Sequence, residues 1–413
     1  MTRSDRGQKP EARQPKRSRV LIRLLSSILC LQLFAGCSLL SFRRTPPRPG
    51  RTTLASPLIE LPAQTIGNFL LIEAKWDRYG PYRFLIDTGS SVTLVSPALA
   101  KRYPSKSLPP LSTPRVRITS ADGQITELPA GSLRRLELGE AQFDDVPVVI
   151  HDWAQLSAQL GVKIDGVLGF PLFREILLTL DYPGSRVLLQ PARTAPLVPG
   201  SAIAFDDARK TPVIHVRLGN RALVTLIDSG SDAGLSLNPV GLEPRYVVPP
   251  RPGATVSTLA GDRTQEIGRL ADTLAIGGYV LPQPIVDLTD ELSVIGGGVL
   301  KHFSVTFDQE HDRVTFYRES REPIATPPRR SPGMSFSKTP AYWKVANVVD
   351  GSPAAAANIL PGELVTRING ESVANWDLRR YEQLVATASA IAFAFLNGTS
   401  ETTKTVRVFE LVP

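Results

Sequence analysis

The sequence predicts a mainly β protein with two similar β-rich lobes in one chain, followed by a smaller β-rich module with two helices. Three observations predict it. First, 36 prolines and 31 glycines punctuate the 413 residues. Few long stretches repeat with the helical period, so short strands and turns are favoured. Second, "YRFLIDTGSSVTLVS", residues 82–96, has a counterpart in "ALVTLIDSGSDAGLSL", residues 222–237. Third, the pattern changes after the Pro/Arg-rich "RESREPIATPPRRSPG". A chain of this length suits two or three domains, and a hydrophobic fraction of 42% supplies real cores.

The front end stands apart from these modules. Residues 1–36 hold eight Lys/Arg against Asp5 and Glu11, a net of +6 out of the chain's +8. The remaining +2 shows no basic stripe with interleaved aromatics, which argues against a nucleic-acid partner. The basic start runs into "LLSSILCLQLFAG", of the length of a signal h-region and short for a membrane-spanning helix. It ends in "LFAGC", which resembles a bacterial lipobox, with Phe34 where Leu is commoner. That resemblance implies cleavage before Cys37 and lipidation of its thiol. Ser38 in place of Asp implies the outer membrane of a Gram-negative envelope, with the body facing the periplasm. An uncleaved anchor or an ordinary signal peptide is the plainer alternative. Residues 1–37 are thus read as signal and lipobox, and 38–56 as a linker. Cys30 and Cys37 are the only cysteines, so the body has no disulfide or thiol chemistry. Four scattered histidines (His151, His215, His302, His311) have no metal-ligand spacing, and no metal or cofactor is expected.

The first repeat unit, 57–192, poses a physical question. An apolar run delivers Asp87, Thr88, Gly89 and Ser90 and turns apolar again. A lone carboxylate carried into an interior is costly and calls for a partner. The second unit, 203–318, carries Asp228, Ser229, Gly230 and Ser231 in the equivalent place, beyond the linker 193–202. Upstream, "FLLIEAKWDRYGPYRFLID" lies over "PVIHVRLGNRALVTLID". Downstream come two candidate hairpins, with turns near Asp122-Gly123 and Gly261-Asp262. Both units close alike, with Val167-Leu168-Gly169 opposite Val294-Ile295-Gly296. Asp228 is therefore the expected partner of Asp87.

Asp-Thr/Ser-Gly at a strand end, with a later hydrophobic-hydrophobic-Gly, resembles the aspartic peptidases. Two copies in one chain resemble pepsin-type architecture, and the compact lobes are closer to the retropepsin half. The resemblance covers about 260 residues and implies two retropepsin-like lobes forming a pepsin-type cleft for a polypeptide substrate. Asp87 and Asp228 would be the catalytic dyad. Two close carboxylates share one proton: the ionised one activates a water and the protonated one donates to the scissile carbonyl oxygen. Gly89 and Gly230 let backbone N–H groups approach. In the family, hydroxyls at the positions of Thr88 and Ser229 reach across to the opposite loop. Ser90 and Ser231 could each hydrogen-bond the outer carboxylate oxygen, favouring ionisation and an acid-shifted optimum. The hairpin around Ile118–Leu128 resembles a flap, though it lacks the Tyr that pepsin-type flaps carry. Asp165 reads as a turn residue. Two fused lobes make a monomer the simplest arrangement.

Residues 333–413, after a linker at 319–332, resemble a PDZ domain. Gly333-Met334-Ser335-Phe336 stands where the carboxylate-binding loop belongs, and "GSPAAAANILPGELVTRINGESV" matches the turn–helix–turn–strand that follows. "WDLRRYEQLVATA" would be the helix lining the groove, with Leu378 near the position where His selects a Ser/Thr ligand. The resemblance implies capture of a protein C-terminus as an added strand, with an apolar last residue preferred. Recruitment of substrate and gating of the cleft are both open. Alternatives to the peptidase are a non-catalytic peptide-binding lipoprotein that keeps the fold, and an envelope scaffold with structural lobes.

Overall fold

The computed structural model describes residues 50–102, 114–119, 125–193, 198–258, 261–339 and 341–413. The signal, Cys37 and the Asp122-Gly123 turn lie outside them. The protein is mainly β, with 54% strand and 11% helix. No helix among the described residues is long and apolar enough to cross a membrane.

Each repeat builds the same knot of strands. In the first, Tyr79–Asp87 carries the aspartate and lies parallel to Gly166–Gly169, placing Asp87 opposite Gly169. The short strand Thr93–Val95 pairs with the other edge of Gly166–Gly169, antiparallel. In the second, Arg221–Asp228 lies parallel to Ser293–Gly296, with Asp228 opposite Gly296, and Leu235–Leu237 closes the other edge. The hydrophobic-hydrophobic-Gly strand is therefore threaded between the two arms of the aspartate loop. This is why each ends in glycine. A Cβ at Gly169 would lie 2.2 Å from the Val92 carbonyl oxygen, and one at Gly296 2.4 Å from that of Ala233.

The repeats are not separate bodies. Ile176–Asp181 pairs antiparallel with Ser304–Asp308, and Thr179 and Thr306 join hydroxyls at 2.8 Å in the middle of the ladder. Arg186–Pro191 and Ile59–Ile66 extend this sheet on one side, and Arg313–Tyr317 and Ser201–Asp206 on the other. One apolar core runs through both repeats. Phe170 of the first sits edge-on to Phe205 and Phe307 of the second, at 5.8 and 5.4 Å. The segments read as linkers also take part. Thr52–Leu54 pairs with Ala141–Phe143, Ser201–Asp206 begins inside 193–202, and Ile324 is buried at 2% exposure. Composition marked them as linkers because edge strands tolerate proline and charge.

The third module has its own core and a five-strand path, Met334–Lys338, Trp343–Val348, Leu364–Ile368, Ala390–Asn397 and Ser400–Arg407. Met334–Lys338 is an edge strand whose one strand neighbour among the described residues is Trp343–Val348. The helix Leu378–Thr387 starts at an Asp377 cap, whose carboxylate accepts from the Arg380 N–H at 2.7 Å. Its Tyr381 ring meets Phe336 and Trp343 edge-on.

This module is anchored on the second repeat. The last strand, Phe409–Val412, pairs with Arg329–Ser331 from the linker. Leu411, Val412 and Val349 form an apolar cluster with Ile267 of the second repeat. The buried Arg269 guanidinium donates to the carbonyls of Pro413, Gln283 and Thr326. Removing the Leu411 side chain should therefore loosen the module. Leu411→Ala should cost about 2–5 kcal/mol locally and raise the rate of proteolytic nicking within 319–328. An unchanged digestion rate would place the anchor elsewhere.

Candidate active site

The two aspartate loops meet face to face, and their backbone geometry follows from reciprocal hydrogen bonds. The Thr88 hydroxyl donates to the Ile227 carbonyl at 2.8 Å and accepts from the Ser229 N–H at 3.0 Å. The Ser229 hydroxyl donates to the Ile86 carbonyl at 2.8 Å and accepts from the Thr88 N–H at 3.0 Å. Both side chains are fully buried, so four backbone groups that water cannot reach are satisfied by two hydroxyls. Ser229 lacks the methyl of threonine, yet makes the same pair of bonds.

That lattice sets the carboxylates together. A Cβ built at Gly89 would lie 2.4 Å from Asp228 Cγ, and one at Gly230 2.4 Å from Asp87 Cγ. Each glycine is the surface against which the other loop's carboxylate rests, and no larger residue fits. The Gly230 N–H donates to Asp228 Oδ1 at 2.8 Å. Backbone N–H groups of Gly89 and Ser90 serve Asp87, and those of Gly89 and Ser231 serve Asp228.

Burial pushes Asp87 well above the usual carboxylate range, and the Asp228 charge and the hydrogen bond between the two add to it. Burial raises Asp228 as well, but there the hydrogen bond from Asp87 and the N–H groups pull the other way. The pair titrates as a unit, with one shared proton. Tyr182 lies within electrostatic reach of the dyad, which the sequence did not reveal. It is buried at 5% exposure. Its phenol is pushed up by burial and by the charges of Asp228 and Asp87, so it stays neutral. It follows the paired strand Ile176–Asp181, and only the assembled fold places it near the dyad.

Ser90 differs from expectation. Its hydroxyl donates to the Val92 carbonyl at 2.8 Å rather than to the carboxylate, and it is its backbone N–H that serves Asp87. Ser231 likewise contributes its N–H. The serines hold the turn, and burial outweighs their help to ionisation. Asp165 accepts from the Arg83 N–H at 3.0 Å and from Lys163, and so fixes the approach to Gly166–Gly169. The histidines are scattered. His151 packs edge-on to Trp153, and no group of three metal-ligating side chains occurs among the described residues.

Beside the dyad lies an apolar wall. The hairpin of Arg115–Thr119 and Ile125–Leu138 brings Val116, Ile118 and Leu128, half-buried, onto a cluster that includes Val92 of the aspartate loop. The helix Ala154–Leu160, called here the wall helix, contributes Leu156 and Leu160 to the same cluster. On the second repeat, Tyr246–Thr258 and Gly261–Leu270 form the equivalent hairpin. Across the floor, Asn68 donates its N–H and its side-chain amide to Asp232, at 2.9 and 2.8 Å, tying the first repeat to the residue after Ser231.

Of the residues singled out in the third module, Met334, Ser335 and Phe336 lie in the edge strand, opposite Val348, Asn347 and Val345. Gly333 precedes it at φ +89, and a Cβ there would lie 2.2 Å from Ser352 Cβ. These four residues are not at the dyad. They belong to a second, separate feature.

Residues 72–172 match the family described as aspartyl protease. No curated protein matches the chain. The matched segment holds Asp87, the first hairpin, the wall helix and Gly169. That segment is similar to an aspartyl protease, which supports a protease activity in general. The second aspartate lies beyond the matched segment.

Thr88 tests the lattice. Thr88→Val keeps the shape but leaves the Ser229 N–H and the Ile227 carbonyl unpaired. It should cost about 2–6 kcal/mol in denaturant unfolding, from two buried groups at roughly 1–3 kcal/mol each. Thr88→Ser should cost under about 1 kcal/mol. A larger loss in Thr88→Ser than in Thr88→Val would show that the methyl, not the hydroxyl, carries the effect.

Proposed function

We propose that the protein is an aspartic endopeptidase of the cell envelope, lipid-anchored at Cys37, that hydrolyses peptide bonds by water activated between Asp87 and Asp228. One observation carries the catalytic part of this reading. Two loops from two repeats hold their carboxylates against each other's glycines. No other acid–base pair among the described residues is built this way.

The geometry suits the chemistry. The ionised member of the pair takes a proton from a water lying between the carboxylates. The protonated member donates the shared proton to the oxygen of the scissile carbonyl as the water attacks. A tetrahedral intermediate forms and collapses as the carboxyl that took the water's proton gives it to the leaving amine nitrogen and the other carboxylate recovers its proton from a hydroxyl of the intermediate. No covalent enzyme intermediate arises. In this reading the two hairpins would cover an extended substrate and exclude water. Specificity would come from the apolar wall of Val92, Ile118, Leu128 and Leu156, which favours an apolar side chain next to the scissile bond.

The third module is read as a PDZ domain that binds a protein C-terminus with an apolar last residue. An edge strand beside a helix supports this reading, since a peptide can add to such a strand and seat its side chains against the helix. The lipidation reading rests on "LFAGC" alone. Metabolic labelling with a fatty-acid analogue, lost in Cys37→Ser, tests it.

The full chain in mild detergent, offered a mixed peptide library from about pH 3 to 8, tests the enzyme. Cleavage by the parent should vanish in both Asp87→Asn and Asp228→Asn. Cleavage that survives in either removes the dyad mechanism. No cleavage by the parent at any pH favours a peptide-binding protein.

Stability gives a second test, and the sign is fixed by the direction of the shifts. An aspartate titrates near 3.9 in an unfolded chain, and Asp87 is raised above that in the fold. The folded state therefore holds more protons, and stability is lost as pH rises from about 4 through the folded value. Asp87→Asn removes this loss. Its thermal midpoint should match the parent near pH 3 and exceed it increasingly toward pH 7. A difference that does not change with pH would refute the shift.

A further inference from the structure

The third module does not hang free of the cleft. Its anchor is on the second repeat, through Leu411, Val412 and Arg269. Its opposite side lies against the first repeat, on the wall helix. That helix touches both Met334–Lys338 and Leu378–Thr387, the two elements between which an added peptide would lie. The fit is tight at one point. Gly161 caps the wall helix at φ +72, and a Cβ there would lie 2.5 Å from Cβ of Asp377, the residue that caps the module's helix. On the other flank, Tyr246–Thr258 of the second hairpin lies against Met334–Lys338 and Trp343–Val348. The module therefore spans from one hairpin of the cleft to the wall of the other half.

The two attachments differ in kind. The contact with the second repeat is buried, an apolar cluster with the hydrogen-bonded Arg269 beside it. The contact with the first is polar and open. There Arg379, Glu382 and Gln383 face Gln64, Thr65 and Ser185 across a pocket of about 570 Å³. At the end of the edge strand, Lys338 stacks over Trp343 and Tyr381, at 4.3 and 5.3 Å. Burial lowers it to about 8, against the opposing charges of Glu382, Asp377 and Asp232. Asp232 directly follows the second aspartate loop, so the module's edge strand lies within electrostatic reach of the catalytic loop.

We infer that the third module is a strap across the cleft, fixed to the second repeat and closed against the wall helix of the first, and that a peptide adding to Met334–Lys338 releases it. The inference rests on the endopeptidase and PDZ readings. A peptide entering between the edge strand and Leu378–Thr387 meets the wall helix, which touches both. Seating it requires that the helix part from the module. That helix also lines the apolar wall beside the dyad, so its release widens the substrate site. Binding at the module and at the cleft are then coupled, each favouring the other.

A wedge tests the strap without any ligand. Asparagine tolerates the left-handed conformation of Gly161, but its Cβ would collide with Asp377. Gly161→Asn should separate the wall helix from the module. Adding Asp377→Gly removes the obstructing Cβ at little cost to the helix cap, and should let the strap close again. In the full chain, amide exchange of 154–160 and 334–338 should be slow in the parent, faster in the wedge and slow again in the double variant. Cleavage of a fluorogenic peptide, and affinity for a statine-containing peptide that mimics the tetrahedral intermediate, should rise about fivefold or more in the wedge and return in the double variant.

Fast exchange of both segments in the parent would overturn the strap. So would a wedge that speeds exchange but leaves cleavage and statine affinity unchanged. If no form cleaves, the peptidase reading fails and statine affinity decides the strap. Peptides with a free apolar C-terminus should reproduce the wedge's effect, and their amidated forms should not. A wedge that activates while no peptide does would keep the strap and reject the PDZ reading.

Discussion

The structure depends on four hydrogen bonds across the pseudo-twofold axis, between Thr88 with Ile86 of one loop and Ser229 with Ile227 of the other. Each loop completes the other's backbone, so neither half is satisfied alone. The hydroxyls also set the spacing. With the loops drawn this close, the carboxylates of Asp87 and Asp228 have nowhere to sit except against Gly230 and Gly89. Proximity and burial then forbid two charges, and the shared proton follows. The chemistry proposed for the site is thus a consequence of how two strand ends are fastened.

The same logic explains the glycines of Val167-Leu168-Gly169 and Val294-Ile295-Gly296. A strand threaded through a loop leaves no room for a Cβ where the loop's carbonyls pass. Ile176–Asp181 and Ser304–Asp308 then join the halves beneath the site, with Thr179 and Thr306 at the centre. The fold offers no hinge at this joint, since core residues from both halves interleave. The proposed strap therefore places movement at the polar contact of the third module and not at this joint.

Much of this is legible in the sequence, because the repeat states each constraint twice. Asp87 and Asp228, their glycines and the paired closing strands were readable as a correspondence of residues that geometry later joined. The third module's edge strand and helix were readable from their own pattern. What escaped is what has no internal period. The tie from Asn68 to Asp232, the burial of Tyr182 near the dyad and the docking of the module on the wall helix are contacts between distant segments, and nothing local marks them. Ser90 misled for a different reason. A hydroxyl at that position can serve a carboxylate or a carbonyl, and only the turn geometry decides for Val92.

The departures from symmetry are where function enters. The hydrogen-bond lattice itself is symmetric, since Thr88 and Ser229 bond alike and burial raises both carboxylates. Asp232 stands where the first loop has Ser91, and it is held by Asn68 on one side and within reach of Lys338 on the other. One side of the site is tied to the other half, and the same residue senses the third module. Duplication built the pocket, and the divergence of single residues such as this one gave it direction.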